Sequence, residues 1–265
     1  MTRIVAVTNQ KGGVGKTTTA INLAASLALP ERRILLVDTD PQANLTSGVG
    51  LRGKQTAAGT IYDILTGADE VEDPEAFLLS TPVAGLMVLP ADRNLIGAEI
   101  ELVSLPQREA RLRRYLHRLR DRFEYIFIDC PPSLGLLTLN ALVAADAVMI
   151  PLHCEYFALE GLAELVSTMR RIRANLNPDL DIEGVLLTMY DERTNLGQQV
   201  AREVREYFKD KVFQTVIPRN VRLGEAPSHG LPVVLYDAKS RGAEAYQALA
   251  KEFLRSKDGK TSGTR

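Results

Sequence analysis

The sequence predicts an α/β fold in which a mostly parallel sheet carries helices on both faces. Short apolar runs, each long enough for one buried strand, alternate with longer segments of helical spacing, and this alternation is typical of parallel sheets. Several runs end in an aspartate or a glycine-rich loop, at the strand ends where α/β sheets bind ligands. No internal repeat or clear linker divides the 265 residues. We therefore expect residues 1–255 to form one domain and residues 256–265 to form a polar, disordered tail.

The composition limits the classes of function. With 45% hydrophobic and 25% charged residues, the chain has ample material for a core. Its net charge is −1, whereas a protein that coats nucleic acid as a monomer is usually more basic, so any DNA contact needs a local patch. The two cysteines, Cys130 and Cys154, form no metal or disulfide framework. No apolar run approaches the ~20 residues of a membrane span.

The order of the elements follows from the apolar runs and the segments between them. Strands are predicted at residues 4–7, 33–38, 86–89, 125–129, 147–152, 182–189 and 212–217. Helices are predicted at residues 19–28, 60–65, 94–105, 106–122, 157–176, 195–208 and 240–254, and a Gly-, Thr- and Ser-rich surface loop at residues 44–56.

A glycine-rich loop at residues 11–18, Lys-Gly-Gly-Val-Gly-Lys-Thr-Thr, joins the first strand to the first helix. Its glycines let successive backbone N–H groups point at one anion, and the helix adds the positive end of its dipole. This context predicts a phosphate site in which Lys16 contacts the phosphates and the Thr17 hydroxyl binds Mg²⁺. The predicted phosphate cradle comprises Gly12, Gly13, Val14, Gly15, Lys16, Thr17 and Thr18.

The loop departs from the common phosphate-binding pattern at one point. The pattern G-x-x-x-x-G-K-[ST] has a glycine where this chain has Gln10, and a second lysine, Lys11, follows it. A lysine at the start of such a loop is poorly placed to reach its own nucleotide. It could instead reach a phosphate bound by a second subunit.

Aspartates end two of the predicted strands. Asp38 and Asp40 follow the second strand, where one could hold Mg²⁺ through its water shell and the other could orient an attacking water. The alternative is a simple turn before Pro41. Asp129 ends another strand and is followed by Cys-Pro-Pro, which resembles a Walker B motif whose aspartate reaches Mg²⁺ or its water shell.

Residues 106–122 carry seven arginines, with leucines between them at helical spacing. The spacing predicts an amphipathic helix with a basic outer face. A solvated face is the simpler interpretation, and a stripe that binds nucleic acid is the alternative.

Taken together, the loop at residues 11–18, the Asp38-x-Asp40-Pro-Gln segment and the Asp129-Cys-Pro-Pro segment resemble the deviant Walker A ATPases. This superfamily includes ParA and Soj, MinD, and the nitrogenase iron protein. Residues 191–197 (DERTNLG) and 217–230 (IPRNVRLGEAPSHG) are similar to those of the chromosomal ParA family. The resemblance runs from about residue 3 to residue 255, and it implies a single ParA-type ATPase domain over residues 1–255.

The resemblance implies that the protein is a P-loop ATPase that binds ATP with Mg²⁺ and forms a nucleotide-sandwich homodimer. Lys11 would cross the interface to the partner's phosphates, while Lys16 and Thr17 hold the β/γ-phosphates and Mg²⁺. Asp40 would position the hydrolytic water. The same resemblance places Asp38 and Asp129 near the metal, and Pro218 and Asn220 against the adenine.

The resemblance also implies a role in segregating a chromosome or plasmid. The ATP-bound dimer would bind double-stranded DNA without sequence preference, through Arg193, Arg219 and Arg222. A ParB-type centromere-binding partner would stimulate hydrolysis and release the DNA, so the expected location is cytoplasmic and nucleoid-associated, not on a membrane. The alternative is a MinD-like, membrane-associated cell-division ATPase. That alternative needs an apolar face near the C-terminus, and residues 257–265 have none.

Overall fold

The computed structural model describes residues 2–28, 32–67, 71–156 and 158–261. Seven strands form one sheet in the order β3-β4-β2-β5-β1-β6-β7. All neighbouring strands are parallel except the short edge strand β3, which is antiparallel to β4. The strands are β1 (Arg3–Val7), β2 (Ile34–Asp38), β3 (Leu79–Ser80), β4 (Leu86–Leu89), β5 (Tyr125–Asp129), β6 (Ala147–His153) and β7 (Asp181–Thr188).

Helices cover both faces of the sheet, as the sequence predicts. Those in the described residues are α1 (Lys16–Leu27), α2 (Asn44–Gly48), α3 (Ile61–Thr66), α4 (Leu95–Glu101), α5 (Arg111–His117), α6 (Leu136–Ala144), α7 (Ala158–Asn175), α8 (Asn195–Phe208), α9 (Val221–Glu225), α10 (Val233–Tyr236) and α11 (Arg241–Thr261).

The core consists of two apolar layers, one on each face of the sheet. Successive residues of a strand point to opposite faces, so Ile4 packs into one layer while Val5 packs into the other. Leu23 of α1 and Phe253 of α11 belong to the Val5 layer, and Leu165 of α7 belongs to the Ile4 layer. Because both faces are covered, the central strands are continuous apolar runs, which is why the sequence located them.

The prediction of a strand at residues 212–217 is wrong. Isolated bridges lie at its two ends, Val185 to Val212 and Tyr190 to Pro218, and the backbone N–H groups of Phe213 and Ile217 donate to the Val185 and Leu187 carbonyls of β7 at 3.0 and 2.9 Å. Between the bridges, the backbone N–H groups of Gln214 and Thr215 donate to the Glu252 carboxylate of α11, at 2.6 and 2.9 Å. The side chain of Glu252 therefore takes the donors that a continuous ladder would need.

Three other predicted boundaries change. The segment predicted as a loop at 44–56 begins with helix α2, and the arginine-rich helix is shorter than residues 106–122, since α5 ends at His117. Helix α11 continues to Thr261, so it includes residues 256–261 of the segment for which a disordered tail is predicted. The rest of that segment, residues 262–265, lies outside the described residues. Within the described ranges, no helix combines the length and apolar character that crossing a membrane requires.

Candidate functional site

The site lies at the carboxyl edge of the central strands. The register of the sheet places Val7, Asp38 and Asp129 side by side at the ends of β1, β2 and β5. The glycine-rich loop leaves β1 at this edge and leads into α1. This is the edge at which parallel α/β sheets bind ligands, and it brings together residues that are far apart in sequence.

The loop has the backbone that a phosphate cradle needs. Gly13 and Gly15 have φ angles of 73° and 84°, in the left-handed region that favours glycine. Gly15 is also the residue before α1, so the helix N-terminus points into the loop. Asn9 anchors the entry, because its Oδ1 accepts from the backbone N–H of Lys11 at 3.0 Å and its Nδ2 donates to the Pro151 carbonyl at 2.8 Å.

Lys16 is nearly buried in the loop, with 7% of its surface exposed. Its Nζ donates to the Lys11 carbonyl at 3.0 Å, across the mouth of the cradle. Burial lowers the pKa of Lys16, and the nearby carboxylates of Asp129 and Asp40 act in the opposite direction. An anion bound in the loop would relieve the desolvation of this ammonium.

Asp38 is fully buried, and both of its carboxylate oxygens accept hydrogen bonds. Its Oδ2 accepts from the Thr46 backbone N–H at 2.9 Å and from the Thr46 hydroxyl at 2.7 Å. Its Oδ1 accepts from the Asp40 backbone N–H at 3.2 Å. Burial raises the pKa of Asp38 to about 6, against the effect of these hydrogen bonds.

Asp129 is also fully buried, but neither of its carboxylate oxygens makes a well-formed hydrogen bond within the described residues. Burial raises its pKa well above the usual range and Asp38 raises it further, while the Thr17 hydroxyl and Lys16 act in the opposite direction. A buried carboxylate without hydrogen bonds is costly, and Mg²⁺ with its bound water would supply the missing partners. Asp129 and the Thr17 hydroxyl therefore fit a hydrated Mg²⁺.

The site does not provide several carboxylates for direct coordination of a metal ion within the described residues. Among the residues that the structure describes, no group of three or more His, Cys, Asp or Glu side chains is arranged around one metal position. Asp38 is committed to Thr46, and the Asp40 Oδ1 accepts from the Gln42 backbone N–H at 2.9 Å. A metal held partly through its water shell is consistent with this arrangement.

A cavity of about 530 Å³ joins the cradle to the segment after residue 217. The predicted residues that line it are Gly12, Gly13, Gly15, Lys16, Thr17, Thr18, Asp40, Pro218, Arg219 and Asn220. Asp38 and Asp129 lie buried at the strand ends. The sequence motifs assign no role in binding to the other lining residues, which are Gln42, Asn44, Pro132, Thr188, Met189, Ile217, Leu223, Gly224 and Tyr246.

Thr188 is the most informative of the missed residues. Its hydroxyl donates to the Val14 carbonyl at 2.8 Å, and the Thr188 side chain is buried. A Cβ added to Gly15 would also meet Thr188 at 3.9 Å. The end of β7 therefore supports the glycine-rich loop through a contact between residues that are 174 positions apart. No local sequence signal could have located it.

Lys11 lies outside the cavity lining. Its ammonium forms an ion pair with the Glu155 carboxylate just after β6, and the side chains are 36% and 48% exposed. Glu155 also pairs with Nδ1 of His153 at 2.9 Å. The lysine is therefore held at the surface by its own chain, away from the phosphates that its own loop would bind.

The three arginines predicted to bind DNA differ in their surroundings. Arg193 is 85% exposed and makes a two-pronged ion pair with Asp191, at 2.8 and 2.7 Å. Arg222 pairs with Glu225 at 2.7 Å and with Asp237 at 3.2 Å. Arg219 is exposed at the cavity. The positive charges of Arg193 and Arg222 are therefore partly balanced by carboxylates of the same chain.

The arginine-rich segment 106–122 is not one exposed basic stripe. Arg111 is buried and donates to the Gly67 carbonyl, Arg118 donates to the Glu72 carbonyl, and Arg120 forms an ion pair with Asp146 at 2.6 Å. These arginines connect the segment to its neighbours in the fold.

The fold and the loop define a P-loop ATPase. A family model described as an AAA domain matches residues 2–182. The chain is 59% identical to the sporulation initiation inhibitor protein Soj of Bacillus subtilis (strain 168), covering 95% of this chain and 98% of that protein. It is 56% identical to the chromosome partitioning protein ParA of Myxococcus xanthus (strain DK1622), and the match covers 96% of this chain and 88% of that protein.

A solved structure agrees with this assignment of the fold. The crystal structure of cobyrinic acid a,c-diamide synthase from Mycobacterium smegmatis, with a bound ATP analog and magnesium, superposes with a TM-score of 0.81. The two sequences are 39% identical, and the match covers 96% of this chain and 95% of that one. The chain belongs to the ParA/Soj family of chromosome-partitioning ATPases.

Proposed function

We propose that this chain segregates a chromosome or plasmid by an ATP-timed cycle of dimerisation and DNA binding. The observation that carries the proposal is the separation of its two loop lysines: Lys16 lies in the cradle, whereas Lys11 is held at the surface by Glu155. A lysine presented outward from a phosphate loop is suited to a second subunit's nucleotide. The similarity to Soj and ParA along nearly the whole chain supports the biological role.

ATP occupies the cavity in this proposal. The backbone N–H groups of residues 12–18 bind the phosphates, and Lys16 moves from the Lys11 carbonyl to the β/γ-phosphates. Pro218 and Asn220 line the far part of the cavity and contact the adenine. Thr17 and Asp129 would hold Mg²⁺, and Asp38 lies beside Asp129 in the sheet register. When bound, the ion neutralises the charge of the phosphate oxygens.

Hydrolysis needs a positioned water, and we assign that role to Asp40. Its Oδ2 is not used in the hydrogen bond to Gln42, and the residue lines the cavity. The water attacks the γ-phosphorus, the bond to the bridging oxygen breaks, and ADP and phosphate leave, with the proton passing to phosphate. Lys11 of the partner subunit stabilises the charge that develops, as an arginine finger does, so turnover requires the dimer.

The dimer binds DNA backbone without reading the sequence. Because its net charge is −1, one protomer alone binds DNA weakly. Dimerisation doubles each local basic surface, and the contributions of contacts to phosphates add by number. Arg193, Arg219 and Arg222 take part in this proposal. A ParB-type partner stimulates hydrolysis, after which the dimer dissociates and leaves the nucleoid DNA.

The experiment that tests the proposal is the oligomeric state of a Lys11→Ala variant with Mg²⁺ and ATP. We expect the wild-type chain to form a dimer in sedimentation velocity and the variant to remain monomeric while still binding ATP. Lys251→Ala, which removes an exposed lysine from α11, is the control and should dimerise normally. A Lys11→Ala variant that dimerises as the wild type does would contradict the proposal.

A further inference from the structure

We propose that a second cavity, lined by Arg52, Lys54 and Arg93 and here called the cationic cavity, binds the phosphate backbone of DNA. The inference rests on the proposed function, because it names a surface that the ATP-bound dimer uses. The cavity measures about 600 Å³ and lies next to the nucleotide cavity, with Gln42 and Asn44 lining both.

Within the described part of the chain, no ion pair neutralises the charges of this cavity. Arg52, Lys54 and Arg93 are exposed, and none forms an ion pair or side-chain hydrogen bond with another described residue. Asp92 is the only carboxylate in the lining, and its two oxygens accept from the backbone and side chain of Asn94 at 2.9 and 3.3 Å. This contrasts with Arg193 and Arg222, whose guanidinium groups already face carboxylates.

These cations are carried by well-ordered turns. Leu51 is buried, its backbone N–H donates to Thr46 at 3.0 Å, and its carbonyl accepts from Lys54 at 2.9 Å. Gly50, with φ of 81°, approaches the Gly230 backbone so closely that an added Cβ would lie 3.0 Å from the Gly230 carbonyl oxygen. The backbone that carries Arg52 and Lys54 is therefore fixed by the fold, which reduces the backbone entropy lost on binding.

Thr46 connects the cationic cavity to the nucleotide site. Its hydroxyl donates to Asp38 Oδ2 at 2.7 Å and accepts from the Ala91 backbone N–H at 3.1 Å, and Thr46 and Ala91 both line the cationic cavity. Asp38 in turn lies beside Asp129 in the sheet register. A change at the end of β2 on ATP binding would therefore reach the loops that carry Arg52 and Arg93.

The lining favours DNA backbone over a base or a free nucleotide. It contains no aromatic side chain on which a base could stack, and its charged residues are Arg52, Lys54, Arg93 and Asp92. Three exposed cations in one lining suit the phosphates of a DNA backbone, and such contacts make binding independent of sequence and dependent on salt. The number of phosphate contacts can therefore be read from the salt dependence.

The test compares two triple variants in an Asp40→Ala background, in which hydrolysis is blocked. One removes the cavity charges (Arg52→Ala, Lys54→Ala, Arg93→Ala). The matched control removes three exposed arginines from α7 (Arg170→Ala, Arg171→Ala, Arg173→Ala), so the change in net charge is equal. Affinity for a random-sequence duplex is measured with Mg²⁺ and ATP at several salt concentrations, and dimerisation is measured separately by sedimentation velocity.

We expect the cavity variant to dimerise normally, to lose at least tenfold in DNA affinity, and to show a salt slope reduced by about one or more, since each phosphate contact contributes about 0.9 to the slope. The control should stay within twofold of its parent, and Arg52→Lys with Arg93→Lys should retain binding. Equal losses in both triple variants, or an unchanged cavity variant, would overturn the inference. A parent that dimerises with ATP but never binds DNA would overturn the proposed function as well.

Discussion

Replacing Glu155 by glutamine should strengthen ATP-dependent dimerisation. In the single chain, the Glu155 carboxylate holds the ammonium of Lys11, and this pair must break before Lys11 can reach a partner's nucleotide. Glutamine keeps the size of the side chain and an oxygen for His153 Nδ1, which lies 2.9 Å from Glu155. It removes only the charge that retains Lys11.

The expected size of the effect follows from the exposure of the pair. An exposed ion pair is worth about 0.2–1 kcal/mol, and these side chains are 36% and 48% exposed. Because two Lys11 side chains are released in each dimer, the gain is about 0.4–2 kcal/mol, which corresponds to a dimer dissociation constant lower by about 2- to 30-fold. The gain should shrink at high salt, since exposed pairs are screened.

The assay is sedimentation velocity with Mg²⁺ and ATP over a range of protein concentrations, in the Asp40→Ala background. Glu160→Gln is the matched control, because it removes an exposed glutamate near the start of α7. The dimer dissociation constant of the Glu160→Gln variant should equal that of the parent. A Glu155→Gln variant that dimerises less tightly than the parent, or equally, would refute the idea that this ion pair retains Lys11 in the monomer.

Three further predictions concern the cradle and the buried carboxylates. Thr188→Val removes the support of the Val14 carbonyl and should cost about 1–3 kcal/mol of stability and weaken ATP binding in calorimetry, whereas Thr188→Ser should restore both. Asp129→Asn removes the charge of a buried carboxylate that makes no well-formed hydrogen bond within the described residues, so it should raise the thermal midpoint without nucleotide by about 2–4 °C per kcal/mol gained and abolish Mg²⁺-dependent stabilisation; a lower midpoint would contradict this. Burial raises the pKa of Asp38 to about 6 in the folded state, so the folded protein holds the proton of the Asp38 carboxyl more tightly than the unfolded chain does. The contribution of Asp38 to the free energy of unfolding should therefore fall as pH rises from about 4 to about 6. Asp38→Asn should flatten that decline in urea titrations.

Sequence patterns located the fold and the cradle because the relevant signals are local. The apolar run of β5 ends in Asp129, and glycines with positive φ stand in the loop before α1. Both features are set by neighbouring residues, so they can be recognised without knowing what packs against them. Sequence patterns placed each of the two buried aspartates at the end of a strand, but the register of the sheet makes them neighbours, and no local pattern predicts that register.

Contacts that join distant segments could not be predicted from sequence. The Glu155 carboxylate meets Lys11 across 144 positions, and Thr188 meets Val14 across 174. The error at residues 212–217 has the same origin, because Glu252 of α11 takes backbone donors that an apolar run alone would assign to a strand. The role of Thr46 as a link between Asp38 and Ala91 also depends on three separate elements, which are helix α2, strand β2 and the segment after β4.

The most direct test of the account is ATP turnover measured with and without duplex DNA and an N-terminal peptide of the ParB-type partner. We expect slow turnover by the chain alone and a large increase only when DNA and peptide are present together. The increase should be lost in Lys11→Ala. Turnover that is equally fast in the chain alone, or stimulation that survives Lys11→Ala, would contradict an ATP cycle governed by dimerisation on DNA.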